Sequence, residues 1–88
     1  MWTDDEIKGK VLHKLTRQGK FVHSHTAVEH LQRGFPSETR GHVKRCVEAL
    51  VRDGILLQKR TSYGLQISID VRRREGILRY ISAFLAKD

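Results

Sequence analysis

The sequence predicts a small α+β domain that is mostly α: a three-helix core, a β-hairpin and an additional C-terminal helix. Three observations carry this. Residues 3–17 combine a helix-start signature with apolar residues at helical spacing. A second stripe, Val43, Cys46, Val47, Leu50 and Val51, repeats at intervals of three and four and marks one buried face of a longer helix. Two short apolar runs then flank the polar turn Thr61-Ser62-Tyr63-Gly64, the second alternating strictly, which is the signature of a half-exposed hairpin.

Each element follows from its residues. Thr3 with Glu6 three positions on forms a capping box, and Asp4, Asp5 and Glu6 suit the positive end of the helix dipole. Ile7, Val11, Leu12 and Leu15 make the inward face, and Gly19 stops the helix. Trp2 is expected either to staple onto Glu6-Ile7 or to belong to a loose end. Phe21-Val22-His23 reads as a short extended piece. Thr26 and Glu29 repeat the capping-box spacing, with Ser24 as the alternative cap, for a short helix that buries Val28 and Leu31 and ends at Gly34. Phe35-Pro36 breaks the chain, and Ser37 caps a helix running from Glu38 to Asp53. Gly54 then Ile55 fits a glycine C-cap with its hydrophobic latch. In the hairpin, Leu65, Ile67 and Ile69 share one face and Gln66 and Ser68 the other. Asp70 caps the last helix, in which Val71, Leu78, Ile81 and Leu85 share a face, flanked by Ile77 and Phe84, and this face is expected to pack on the first helix.

The bulk composition points away from catalysis and toward an anionic partner. Eighty-eight residues suffice for one domain, residues 1–88, but not for a deep walled-off substrate pocket. Seventeen Lys and Arg against ten Asp and Glu leave a formal charge of +7, an excess that attracts polyanions. The excess is spread along the chain, so any basic patch must be assembled by the fold. Cys46 is the only cysteine, which rules out an intrachain disulfide and suits a reducing compartment. The longest apolar run, Ala83-Phe84-Leu85-Ala86, is too short for a membrane span, and the acidic start does not resemble a signal peptide. The expected setting is therefore cytoplasmic, with no membrane partner.

The stretch SETRGHVKRCVEALVRDGILL, from Ser37 to Leu57, continues through Gln58, Lys59 and Arg60 into the Tyr63-Gly64 turn. It resembles the winged-helix version of helix-turn-helix: a polar helix start, a buried Leu50 four residues before Gly54, then an apolar pair opening the wing. The resemblance covers residues 3–69 as core and wing, with residues 70–88 as the added C-terminal helix. It implies a double-stranded DNA-binding domain, a transcription regulator by function, with the helix before the wing in the major groove. It also implies a homodimer through the C-terminal helix as one arrangement. The motif is degenerate and specifies fold better than function.

Carried over by position, the resemblance makes Ser37, Thr39, Arg40, His42, Lys44 and Arg45 candidate nucleic-acid contacts on the helix, along with Glu38. Arg40 or Arg45 suits a forked contact to guanine, and His42 a base or a phosphate. Lys59, Arg60, Ser62 and Tyr63, with Gln66 beside them, are the wing candidates for phosphate or minor-groove contact. Glu38 and Glu48 oppose binding mildly by repelling phosphates. Gly41 costs about 0.5–1 kcal/mol inside a helix, and the favoured explanation is close packing against the preceding helix rather than close approach to a ligand. Arg72-Arg73-Arg74 at a helix start is disfavoured by the dipole and points to an external counter-charge or a solvated face.

Other chemistries fare worse. His23-x-His25 with His30 is the one histidine grouping that invites a metal, but no four-ligand pattern accompanies it, so no cofactor is expected. Cys46 reads as a small core hydrophobe. No phosphate-binding loop, triad order or acid pair is present, and the chain is not expected to be an enzyme. An RNA-binding winged helix, and a winged helix that meets an acidic protein partner in a larger assembly, remain the alternatives. Outward Arg40, His42 and Arg45, on a surface whose one expected aromatic is Tyr63, favour DNA over a protein interface, and little separates DNA from RNA.

Overall fold

A computed structural model describes residues 1–21 and 24–87. Among them are four α-helices and a three-stranded antiparallel sheet. In chain order these are α1 (Asp4–Arg17), β1 (Thr26–Ala27), α2 (Val28–Gln32), α3 (Arg40–Arg52), β2 (Leu56–Thr61), β3 (Gly64–Ile69) and α4 (Arg74–Leu85). Short 3-10 turns, Ser37–Thr39 and Val71–Arg73, precede α3 and α4. The class is α+β and mostly helical, and among the described residues no helix is long and apolar enough to cross a membrane.

The start of α1 forms as its residues dictate. The Thr3 hydroxyl accepts from the Glu6 backbone N–H at 3.2 Å, and the Thr3 N–H donates to the Glu6 carboxylate at 2.8 Å. Ile7, Val11, Leu12 and Leu15 are buried as expected. Trp2 is neither loose nor a local staple. It packs edge-on against Phe35 at 5.3 Å and stacks on Phe84 at 6.2 Å, joining both ends of the chain to the turn after α2.

The second and third helices start differently from the sequence expectation. Thr26 is not a helix cap: it is buried in β1, opposite Ile67 of β3, and its hydroxyl meets the His30 ring at 3.2 Å. Neither Ser24 nor Thr26 caps α2, which follows Ala27 directly without a side-chain cap. Pairing with β3 outcompetes capping, because a buried strand backbone needs its ladder partners. Ser37 is likewise no cap. Pro36 holds an extended conformation, residues 37–39 make one 3-10 turn, and α3 begins only at Arg40, whose N–H bonds to the Ser37 carbonyl. The other end of α3 behaves as read. Gly54 adopts φ +77°, its N–H reaches the Val51 carbonyl at 3.1 Å, and the Ile55 N–H reaches the Leu50 carbonyl at 3.0 Å, which completes a Schellman motif.

The sheet has strand order β1-β3-β2. The hairpin register runs from Leu56 opposite Ile69 to Thr61 opposite Gly64. Phe21 makes a single bridge to Ile69, and the Lys20 carbonyl accepts from the Ile69 N–H at 2.8 Å; the rest of the expected extended piece, Val22 and His23, lies outside the described residues. β3 is thus the central strand. Ser68, expected on an open face, is fully buried.

The last helix docks on α1, the most extensive helix–helix contact of the molecule, but not through the expected face. Val71, Leu78 and Leu85 are exposed, whereas Ile77 and Tyr80 are buried and Ile81 packs on the core. The stripe is rotated by about one residue. The cause lies at Gly9 of α1, where the Tyr80 carbonyl oxygen would stand only 2.0 Å from an added Cβ and the Phe84 Cβ 2.7 Å. The missing side chain lets α4 sit directly on α1 along this line, and the contact selects the Tyr80–Phe84 side. Asp70 caps the 3-10 turn rather than α4 itself, accepting from the Arg72 N–H at 3.0 Å.

Candidate nucleic-acid interface

On α3 the buried stripe, Val43, Cys46, Val47 and Leu50, faces the core. The 3.6-residue period therefore turns the remaining positions outward. Arg40, Lys44 and Arg45 are exposed, as are Ser37 and Glu38 on the turn before the helix, and Thr39 is half-buried. Among the described residues no acidic side chain makes an ion pair with Arg40, Lys44 or Arg45. The backbone around Arg40 is anchored instead: its carbonyl accepts from the Gln32 amide at 3.3 Å, which ties the helix start to α2.

Gly41 does not pack against α2. A Cβ there would meet only the Arg45 guanidinium, at 3.7 Å, so close helix packing does not account for this glycine. The helix face at Gly41 is open.

His42 departs from its expected role. It is half-buried and its ring bonds to the Asp4 carboxylate at the start of α1, so it does not stand free for a base or a phosphate. That bond, reinforced by the charges of His42, Lys8 and Arg45, holds the Asp4 carboxyl below its ordinary value against the opposing effect of burial. Asp4, Lys8, His42, Arg45 and Cys46 line one groove between α1 and α3. Burial, with the Asp4 carboxylate nearby, pushes the Cys46 thiol up to about 11, so at neutral pH it is a protonated core group and no nucleophile. Asp4, His42 and Cys46 each offer a ligand atom, all within 4.8 Å of one another, and they are the one grouping of potential metal ligands among the described residues. The expected grouping is different: His30 bonds to Thr26, and His23 lies outside the described residues.

The hairpin tip is ordered by Thr61. Its hydroxyl accepts from the Tyr63 N–H at 3.1 Å and donates to the Gly64 carbonyl at 3.0 Å, while Gly64 takes φ +110°. Ser62 and Tyr63 stand at the tip, Tyr63 with 93% of its surface exposed. Lys59, Ser62, Tyr63, Gln66 and His25 surround one shallow depression. Lys59 and Arg60 are both exposed, but neighbouring strand residues point to opposite faces. Lys59 thus shares its face with Gln66, opposite it on β3, whereas Arg60, opposite Leu65, shares the face of Leu56, Ile67 and Ile69.

The candidates therefore fall into two groups, one on α3 and its leading turn and one at the hairpin tip. No hydrogen bond or ion pair joins the groups among the described residues. Two neighbours escaped the sequence reading. Arg52 is an exposed cation one α3 turn beyond Glu48, and it lines the α1–α3 groove with Arg45. His25 joins the hairpin depression only because β1 pairs with β3. The sequence marks His25 only as part of a histidine grouping, because the two-residue strand that follows it is too short to be seen as a period.

The triple-arginine run resolves differently. The Arg72 guanidinium grips Asp70 through Nε at 3.0 Å and Nη2 at 2.9 Å. Asp70 is buried, and these bonds with the Arg72 N–H hold its carboxyl down at about 2. The counter-charge expected from outside is, for Arg72, supplied by the chain itself; Arg73 and Arg74 are exposed.

Compared with protein-family models, with curated proteins and with solved structures, the chain gives no match.

Proposed function

We propose that the chain is a winged-helix protein that binds double-stranded DNA, as a transcription regulator would, with α3 in the major groove and the β2–β3 hairpin as the wing. The single observation that carries this reading is the set Arg40, Lys44, Arg45, Lys59 and Arg60: five exposed cations, on the two elements such a domain uses, with no acidic ion-pair partner among the described residues. The element order, with strand order β1-β3-β2 and a hairpin directly after α3, supports the fold half of the proposal. The net charge of +7 supports the polyanion half. The groups keep distinct roles. Arg40 and Arg45 contact base edges, Lys44 and the amides of the 37–39 turn meet phosphate, and Lys59, Ser62 and Tyr63 meet the backbone beside the groove. His42 acts only through Asp4, by fixing α3 on α1. No residue of the set is assigned a catalytic step.

The test is a titration of the full chain against duplex DNA, single-stranded DNA and duplex RNA at several salt concentrations. Duplex DNA is expected to bind tightest, with log affinity falling against log salt by about 0.9 per phosphate contacted. Absence of duplex DNA binding at low salt overturns the proposal. One observation favours a protein-assembly module as the second reading: Phe21, Val71 and Leu78 leave an exposed apolar patch around the α1–α4 seam. An absence of nucleic-acid binding would turn attention there.

A further inference from the structure

We propose that Asp4, His42 and Cys46 form a zinc-class metal site that clips the start of α1 to the first turns of α3. Three different ligand chemistries meet here: a carboxylate, an imidazole and a thiol, the set that a borderline divalent ion such as Zn²⁺ takes. The placement has two sources. His42 and Cys46 stand four apart on one face of α3, and Asp4 arrives from the first turn of α1.

The geometry is near that of a bound ion. A tetrahedral site with bonds of about 2.0–2.3 Å separates neighbouring ligand atoms by roughly 3.3–3.8 Å. The three atoms already lie within 4.8 Å of one another, so each needs to move by less than the width of an atom. Cys46 is buried and contributes the fixed floor, while Asp4 and His42 are partly exposed and supply the adjustable walls. The groove opens to solvent, which leaves a fourth position for water.

On binding, the ion replaces the His42–Asp4 hydrogen bond as the link between those side chains; the neutral ring keeps its proton on Nδ1 and offers Nε2 to the ion. The Cys46 S–H bond breaks, its proton leaves to solvent, and a metal–sulfur bond forms; no electron changes hands. Two anionic ligands then match the ion's charge. A divalent ion in and one thiol proton out leave the loaded site one positive charge above the empty one, and Lys8, Arg45 and Arg52, which line the same groove, oppose that gain. Arg45 lines this groove and also stands among the proposed DNA contacts, whereas Arg40, Lys44 and the hairpin residues do not line it, and the test requires no DNA.

The test adds Co²⁺ alone to the full, reduced chain and follows absorption. Cobalt reports tetrahedral coordination by intense visible bands and a thiolate ligand by a sulfur-to-metal charge-transfer band. The expected result is both signals saturating at one ion per chain, displaced by Zn²⁺. Cys46→Ser is expected to abolish the charge-transfer band. His42→Gln, a half-buried position that leaves the core intact, is expected to weaken Co²⁺ binding about tenfold or more, and Asp4→Asn likewise, whereas the double variant His25→Gln/His30→Gln leaves both bands unchanged. Weak six-coordinate cobalt spectra in the wild type, or bands that survive His42→Gln and vanish with His25→Gln/His30→Gln, overturn the proposal.

Discussion

Replacing Gly9 by alanine tests the α1–α4 seam, and replacing Gly41 by alanine is its internal control. At Gly9 the new methyl would stand 2.0 Å from the Tyr80 carbonyl oxygen and 2.7 Å from the Phe84 Cβ. Favourable contacts between such atoms lie near 3.5 Å, so α4 must retreat by more than about 1 Å along this line. The obstacle is backbone and Cβ, which no rotamer change can move. Overpacking of this kind costs about 1–3 kcal/mol, and the rigidity of the obstacle places this case at the upper end. Alanine's better helix propensity returns about 0.5–1 kcal/mol of that. A net loss of about 2 kcal/mol corresponds, in a domain of this size, to a fall in Tm of roughly 8–16 °C. At Gly41 the methyl meets only the end of Arg45 at 3.7 Å, and the propensity gain is left unopposed. That variant is expected to be more stable by about 0.5–1 kcal/mol. Urea and thermal unfolding followed by circular dichroism measure both. Equal stability of Gly9→Ala and wild type, or shifts of the same sign in the two variants, would refute the close α1–α4 contact and with it the reason offered for the rotated face of α4.

Two further outcomes follow from buried polar groups. Asp70 has a folded-state value of about 2 against an ordinary 3.8, so its contribution is complete above the unfolded value and drains away as pH falls from about 3.8 to about 2. Wild type is therefore expected to lose more stability over that interval than Asp70→Asn, in urea midpoints taken from neutrality downward; parallel curves would contradict the Arg72 pairing. The Ser68 hydroxyl is buried without a hydrogen-bond partner among the described residues. Ser68→Ala is expected to leave stability unchanged or raise it by up to about 1 kcal/mol, and a loss of more than that would mean that the hydroxyl has a partner.

What the sequence displays is what local rules control. The Thr3–Glu6 box, the α3 stripe and the Gly54–Ile55 stop each depend on residues a few positions apart, and each forms as read. The hairpin register follows from strict alternation in β3. Apart from the 3-10 turns that keep Ser37 and Asp70 from capping α3 and α4, the departures involve distant partners. α4 is apolar on two adjacent faces, and Gly9, more than sixty residues earlier, decides which one docks. Thr26 has a cap's spacing but is claimed by β3. His42 looks like an outward base-reading residue until Asp4, thirty-eight positions away, is brought beside it. For the candidate site, exposure of Arg40, Lys44 and Arg45 was legible because a helix stripe defines its own reverse face. The opposition of Lys59 and Arg60 across the sheet was implicit in the two-residue period.

Charge-matched variants measured against one DNA duplex address the central claim most directly. The first carries Arg40→Ala, Arg45→Ala, Lys59→Ala and Arg60→Ala. The second removes the same charge from the groove beside α1 and the end of α2, through Arg17→Ala and Arg33→Ala, and from the start and face of α4, through Arg74→Ala and Arg79→Ala. If α3 and the hairpin are the interface, the first variant loses nearly all binding and most of the salt dependence, while the second loses only the modest long-range part. Equal losses in the two would show that bulk positive charge alone draws the DNA, and the proposed interface would fall.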